Sequence, residues 1–275
     1  MEISFTLDVE DHRAAAHEPP RHLATTREVL GFLAERGMRG TFFVIGEVAE
    51  EDAELVREIA AGGHEVAVHG SRHVPLVELG PERFRIEVES TKARLSDLAG
   101  QPVAGFRAPM FSLVPETRWA VDILDDLGFS YSSSVMPIRH PLFGDSACPV
   151  RPFRWPGGLV ELPCPVVRCG PFGLPWLGAV WLRNLPWPLV QLGLAATGTR
   201  RLLWTYGHPY DFDTEEPFRV LPEAGRIGSR LIWHNRHRMF EKLDRLLRFR
   251  VGPPLVERLA TLPDPLPTAP AAALA

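Results

Sequence analysis

Val66-Ala67-Val68-His69-Gly70-Ser71-Arg72-His73 joins a short apolar run to two histidines four residues apart. The apolar run reads as the end of a buried strand. Where the chain then turns into a loop or a first helical turn, both imidazoles can face one side. Two neutral imidazoles on one side supply half of a transition-metal site. A His-x-x-x-His pair also describes ordinary surface or core histidines, so its weight comes from the segments around it.

Upstream, Gly62-Gly63 closes a helix, and 40–46 is a continuous apolar run between glycines, as in a strand buried on both faces. Apolar periodicity predicts helices over 25–36, 51–61, 80–99, 117–127, 185–198 and 229–248. The 80–99 helix puts Ile86, Leu95 and Leu98 on its apolar face, and the last puts Leu231, Met239, Phe240, Leu243, Leu246 and Leu247 there. Strands are predicted at 3–7, 40–46, 64–68, 129–134, 159–163 and 202–206. Residues 136–175 are rich in Pro and Gly, and a tail from Leu262 is expected to be disordered beyond a domain of residues 1–261.

Strand–loop–helix alternation argues for a parallel sheet or barrel, in which the loops after the strands share one face. Those loops carry Asp8-Val9-Glu10-Asp11-His12, the His69/His73 pair, Arg107-Ala108-Pro109 and Gly207-His208-Pro209-Tyr210-Asp211. Residues far apart in sequence would converge there.

The chain has 275 residues, 45% hydrophobic and 23% charged, with a net charge of -4. That is ordinary for a globular protein with a sizeable core, and without a basic stripe no nucleic-acid partner is expected. Three cysteines, Cys148, Cys164 and Cys169, form no Cys-x-x-Cys and read as small buried hydrophobes in a reducing compartment. The first residues lack the pattern of a secretory signal, and no stretch suits a membrane span, so a cytoplasmic location is expected. Trp176, Trp181 and Trp187 fall in a segment read as a packing helix. A sugar-stacking wall, or a lid touching the membrane surface for a lipid-linked substrate, is the less favoured reading.

Five motifs, in order, resemble the polysaccharide deacetylase (NodB-homology) family, carbohydrate esterase family 4: Thr6-Leu7-Asp8-Val9-Glu10-Asp11, His69-Gly70-Ser71-Arg72-His73, Arg107-Ala108-Pro109, the serines at 132–134, and Gly207-His208-Pro209. The resemblance covers roughly residues 3–250. It implies a distorted (β/α)7 barrel. It implies one divalent metal ion, with Zn2+ expected, held by two histidines and a carboxylate, and hydrolysis of an N-acetyl group from an amino sugar.

Carried onto this sequence, His69 and His73 are the metal histidines, Asp8 the general base, Arg107 the residue holding Asp8, and His208 the acid that protonates the leaving amine. The family usually has two adjacent acids. Here Val9 intervenes, as in the subgroup of atypical peptidoglycan deacetylases and allantoinase-like amidohydrolases. The metal carboxylate is Glu10, on the same strand face as Asp8, or Asp11 if the strand has already turned; Glu10 is preferred.

Asp211 is read as orienting His208 or lining the pocket. His64 is read as structural, and His12 and His140 are assigned no role. The serines stand where the family has an Asp and a Trp, which leaves the acceptor sugar open. The function expected is metal-dependent N-deacetylation of a glycan, glycolipid or small glycoconjugate. Alternatives are an allantoinase-like amide hydrolase and a non-catalytic carbohydrate-binding relative.

Overall fold

The computed structural model describes residues 1–13, 17–140, 142–169, 172–198, 202–221 and 224–273. Its strands are β1 (Ile3–Val9), β2 (Gly40–Val44), β3 (Glu65–Val68), β4 (Gly105–Phe106), β5 (Tyr131–Ser132), β6 (Phe153–Arg154), β7 (Val160–Glu161), β8 (Val167–Cys169), β9 (Phe172–Leu174), β10 (Leu203–Trp204) and β11 (Val251–Gly252). The helices are α1 (Arg21–Ala34), α2 (Gly46–Glu51), α3 (Ala53–Ala61), α4 (Pro81–Ala99), α5 (Trp119–Asp126), α6 (Ala179–Asn184), α7 (Trp187–Thr197), α8 (Gly225–Trp233), α9 (Met239–Leu247) and α10 (Leu255–Arg258). Among the described residues, no helix is long and apolar enough to cross a membrane.

The main sheet runs β10-β1-β2-β3-β4-β5-β7-β6, with β11 beside the start of β1 and β8-β9 as a separate hairpin. From β10 to β7 the strands are parallel, and β6 is antiparallel at the edge. The expected seven-strand parallel arrangement is present as a curled half-barrel. Among the described residues, no pairing joins β10 to the β7-β6 edge. β1 is flanked by β10 and β2, and all seven of its residues are buried, which is why the segment reads as a mixed apolar run without clean alternation.

Several helix boundaries move for local reasons. α1 starts at Arg21, directly after Pro20, and its first buried positions are His22, Thr25 and Thr26. The threonine hydroxyls donate back to the carbonyls of Arg21 and His22, so this turn is buried without being apolar. The helix expected at 51–61 is α3, with α2 before it; between them Asp52 leaves the helical region and its carboxylate caps the Leu55 N–H at 3.1 Å.

In α4 the inward residues are Phe84, Val88, Thr91 and Leu95, and Ile86 is exposed, contrary to expectation. Two residues along a helix is about half a turn, so Ile86 falls opposite Phe84. The helix expected at 185–198 is α7, and Leu185-Pro186 separates it from a further short helix, α6, that precedes it. The one expected at 229–248 is broken by His234-Asn235, with Asn235 left-handed at φ 59°. It starts earlier than predicted, at Gly225, and Leu231 faces solvent instead of the core.

The tail expected to be disordered packs instead. The Arg154 N–H donates to the Pro267 carbonyl and the Ala269 N–H to the Arg154 carbonyl, and Leu266 and Ala269 are buried. Cys148 and Cys164 are free and buried, as expected of small hydrophobes; burial pushes the Cys148 thiol up to about 12. The Cys169 side chain lies outside the described residues.

His64 is structural, as its place before β3 suggested. It is buried, its Nδ1 accepts the Gly40 N–H at 3.1 Å, and its ring meets Phe42 edge-on. Burial, with the Arg39 charge adding to it, lowers its pKa from 6.5 to about 4. Between those values the unfolded chain takes up a proton that the folded chain refuses. Stability is therefore expected to fall by up to about 3 kcal/mol as pH drops from about 6.5 to 4. His64→Asn, which keeps an acceptor but does not titrate, should flatten that slope in urea unfolding. An unchanged slope would remove His64 as its source.

Candidate active site

Register alone assembles most of the site. Val9, Val44, Val68, Phe106 and Ser132 are paired neighbours across β1 to β5. The next residue on each strand therefore forms a second row at the carboxyl edge: Glu10, Ile45, His69, Arg107 and Ser133. That edge is where parallel α/β sheets place their sites.

Asp8 and Glu10, two apart on an extended segment, share a side, and both are buried. Glu10 Oε2 lies 3.7 Å from His69 Nε2 and 2.6 Å from His73 Nε2. The ligand atoms offered by these three residues lie within 4.8 Å of one another. The Arg107 carbonyl, which can only accept, is 2.9 Å from His69 Nδ1. That puts the ring proton on Nδ1 and turns the Nε2 lone pair towards Glu10. Gly70 permits the turn between the histidines: its φ is +83°, and a Cβ there would meet Pro109 Cγ at 3.3 Å. The turn is pinned at the start of α2, where the Gly46 and Glu47 N–H groups donate to the Gly70 and Ser71 carbonyls.

Burial on its own would raise the Glu10 pKa. The charges of His73 and His208, and the closeness of the His69 and His73 rings, outweigh it and hold the carboxyl well below its ordinary range. Burial would lower His73, but Glu10 outweighs it and raises the imidazole. Glu10 Oε2 is buried with no hydrogen bond of good geometry, close as His73 is. A buried, ionised oxygen facing two imidazole nitrogens without a satisfying donor is a donor set that fits a divalent transition metal.

Asp11 is not part of this group, which corrects its place as a candidate ligand. It leaves the strand on the opposite side and lies with His22 and Glu51. There Arg13 already supplies a cation, with Nε 2.6 Å from Asp11 Oδ2 and Nη2 3.1 Å from Glu51 Oε1.

Arg107 is fully buried and donates from Nη1 to Asp8 Oδ1 at 2.5 Å and Thr6 Oγ1 at 2.9 Å. Its other face reaches the Ser133 carbonyl and hydroxyl. The rings of Phe43 and Trp204 lie 3.9 and 4.3 Å from the guanidinium carbon. Asp8 keeps its other oxygen, Oδ2, 3.9 Å from His69 Nε2.

His208 closes the opposite side, with Nε2 3.9 Å from Glu10 Oε1. Its Nδ1 is 3.0 Å from Asp211 Oδ2, which also accepts the His208 N–H at 2.9 Å. Burial would lower the His208 pKa; Glu10, Asp211 and Asp8 outweigh it and raise it to about 9. Asp211 is fully buried, and although burial opposes ionisation, Arg183 and His208 hold its pKa down.

Arg183, on α6, pairs with Asp211 and is fixed in turn by the Ile232 and His234 carbonyls. Nothing in the uncharged surroundings of α6 marks it in the sequence. Tyr210 was also missed: its ring stacks on His208 at 4.7 Å, and His12 packs on its other side at 4.1 Å. Its signal was local, two residues after His208. A cavity of about 490 Å³ opens beside the site, not over it, reaching it through Tyr210 and His12 and bordered further out by Arg13, Arg21, Phe218 and Arg219. His140 lies outside this group. Trp176 is buried under Gly193, so the three tryptophans form no exposed wall.

Residues 13–131 match the family described as polysaccharide deacetylase, and residues 133–251 match a domain of unknown function, DUF3473. A peptidoglycan-N-acetylglucosamine deacetylase of Bacillus cereus is 28% identical over 39% of this chain and 44% of its own length. A chitooligosaccharide deacetylase of Rhizobium leguminosarum bv. phaseoli is 39% identical over 32% of this chain and 39% of its own. The chain thus spans less than half the length of these curated relatives. A crystal structure from Mycobacterium smegmatis, assigned as a polysaccharide deacetylase, covers 98% of this chain and 93% of its own, with a TM-score of 0.62 at 22% identity. Residues 13–131 thus match a polysaccharide deacetylase domain, within a fold like that of the Mycobacterium smegmatis structure.

Proposed function

We propose that the protein is a metal-dependent N-deacetylase acting on an N-acetylated amino sugar, with Glu10, His69 and His73 as its metal ligands. The observation that carries this reading is the unsatisfied Glu10 oxygen between two imidazoles, flanked by Asp8 on one side and His208 on the other. A divalent ion held there, zinc by the chemistry of two nitrogens and one carboxylate, would polarise an amide carbonyl and acidify a water. Asp8, fixed by Arg107 and with one oxygen free towards His69, takes the proton of the attacking water. His208 gives a proton from Nε2 to the departing amine, because Asp211 binds Nδ1 and leaves Nε2 facing Glu10. Arg183 keeps Asp211 in place and stays clear of the reacting atoms. The deacetylase names of the curated relatives support the acetyl group and the amino sugar as substrate features.

Elemental analysis beside an acetate-release assay on N-acetylated chitooligosaccharides tests the site. About one metal ion per chain is expected in the parent and in Asp11→Asn. Glu10→Gln, His69→Ala and His73→Ala should each lose metal and acetate release together. Asp8→Asn should keep the metal and lose roughly 10²–10⁴-fold in rate. Loss of metal in Asp11→Asn would overturn the ligand set. Bound metal with no acetate release, but with cleavage of a non-sugar amide, would move the substrate class. Bound metal without turnover of either would leave a binding protein.

The pH profile tests His208. As the acid it must be protonated, so activity falls as pH rises through its pKa. Asp211→Asn removes a charge that raises that pKa. The alkaline limb of kcat/KM should therefore shift to lower pH in Asp211→Asn while metal content stays unchanged. A limb that does not move would remove Asp211 as the positioning residue.

A further inference from the structure

Helix α8 turns Ile227 and Leu231 outward. Ser229 is its buried residue, while Arg226, Ile227, Arg230 and Leu231 are all exposed, Ile227 at 87%. Spacing of four residues sets Ile227 and Leu231 in one row and Arg226 and Arg230 in the row alongside. Just before the helix Phe218 is 51% exposed, and its ring rests edge-on against Trp233 at 5.5 Å. Phe218 also borders the cavity beside the site. The exposed apolar row thus runs from α8 to the cavity rim.

The charge of α8 itself is one-sided: it carries Arg226 and Arg230 and no acid, in a chain of net charge -4, whereas Arg236 beyond it is buried against Glu216 and Arg238 lies 3.8 Å from Glu241. The Arg226 and Arg230 side chains make no ion pair or hydrogen bond among the described residues. By contrast α7, which also exposes Leu189 and Leu192, carries no charge at all.

Three occupants can be weighed. A second copy docked through a two-fold axis would bring the Arg226/Arg230 rows of both copies together, a like-charge contact. An acidic polymer would use the arginines and leave Ile227, Leu231 and Phe218 in water. An anionic bilayer satisfies both rows: aliphatic and aromatic side chains enter the headgroup boundary, and the guanidinium groups reach the phosphates. We propose that α8, together with Phe218, docks this protein on an anionic lipid surface, lying along it, with the cavity rim facing the bilayer. The proposal stands apart from the chemistry proposed for the site, since its test reads binding alone.

The test is co-sedimentation of the full chain with phosphatidylcholine–phosphatidylglycerol vesicles and with pure phosphatidylcholine vesicles. Binding to the mixed vesicles is expected to be tighter by about tenfold or more and to weaken with salt. The pairs Ile227→Glu/Leu231→Glu and Arg226→Glu/Arg230→Glu should each reduce it by about tenfold or more. Because these side chains are exposed, the thermal midpoint should not change, which separates lost docking from lost folding. No binding to mixed vesicles, or binding that survives the aliphatic pair, would overturn the proposal. So would a concentration-dependent dimer, seen by sedimentation velocity, that the aliphatic pair abolishes in protein that ignores vesicles.

Discussion

A guanidinium sealed from water must be paired or it unfolds the protein around it, and Arg107 is so sealed. Its partners come from separate strands: Thr6 and Asp8 from β1, Ser133 from the end of β5, with Phe43 of β2 and Trp204 of β10 closing its faces. The loop holding Ser133 is itself fixed by Glu161 on β7, which accepts the Ser134 and Val135 N–H groups. One buried cation therefore demands that the sheet curl until strands from both ends of the order meet. The same cation immobilises Asp8 and, through its own backbone carbonyl, sets the tautomer of His69. Fold and site thus meet at Arg107.

The sequence made that residue visible through its place before Ala108-Pro109, and it made Asp8, Glu10, His69, His73 and His208 visible as polar residues directly after apolar runs. What placed them together was register, which follows from those same runs. The choice between Glu10 and Asp11 rested on strand alternation, and contacts with Arg13, His22 and Glu51 show where Asp11 goes instead. Arg183 was illegible because its partner lies 28 residues away on another element, with no periodic cue. Leu231 and Ile86 were misplaced for a common reason. Apolarity suggests burial, but on α8 and α4 the apolar residue sits on the solvent side of the turn. The tail was misjudged by composition, since its Pro- and Ala-rich run pairs with β6.

The two family matches divide the chain just before Ser133, yet the geometry does not divide there. His69, His73 and Arg107 lie within the deacetylase match, whereas Ser133, Arg183, His208 and Asp211 lie within the match of unknown function. Asp8 and Glu10 precede both. Arg107 reaches across that division to Ser133, and His208 reaches back across it to within 3.9 Å of Glu10. The second region completes the site, so neither half would present it alone.

The pairing of β1 bears on how the protein is made. β1 pairs along its start with β10 and β11, and the hydroxyl of Thr6 donates to Thr205, 199 positions further on. On the ribosome β1 is complete long before either partner exists. At about 5–20 residues per second, roughly ten to forty seconds separate them. Throughout that interval a long strand that is buried at every position in the finished protein has an unpaired edge, the condition under which strands of different chains find one another. The molecule's exposure to aggregation is therefore set by translation time, and crowded expression should trap it through its first strand before its last one has formed.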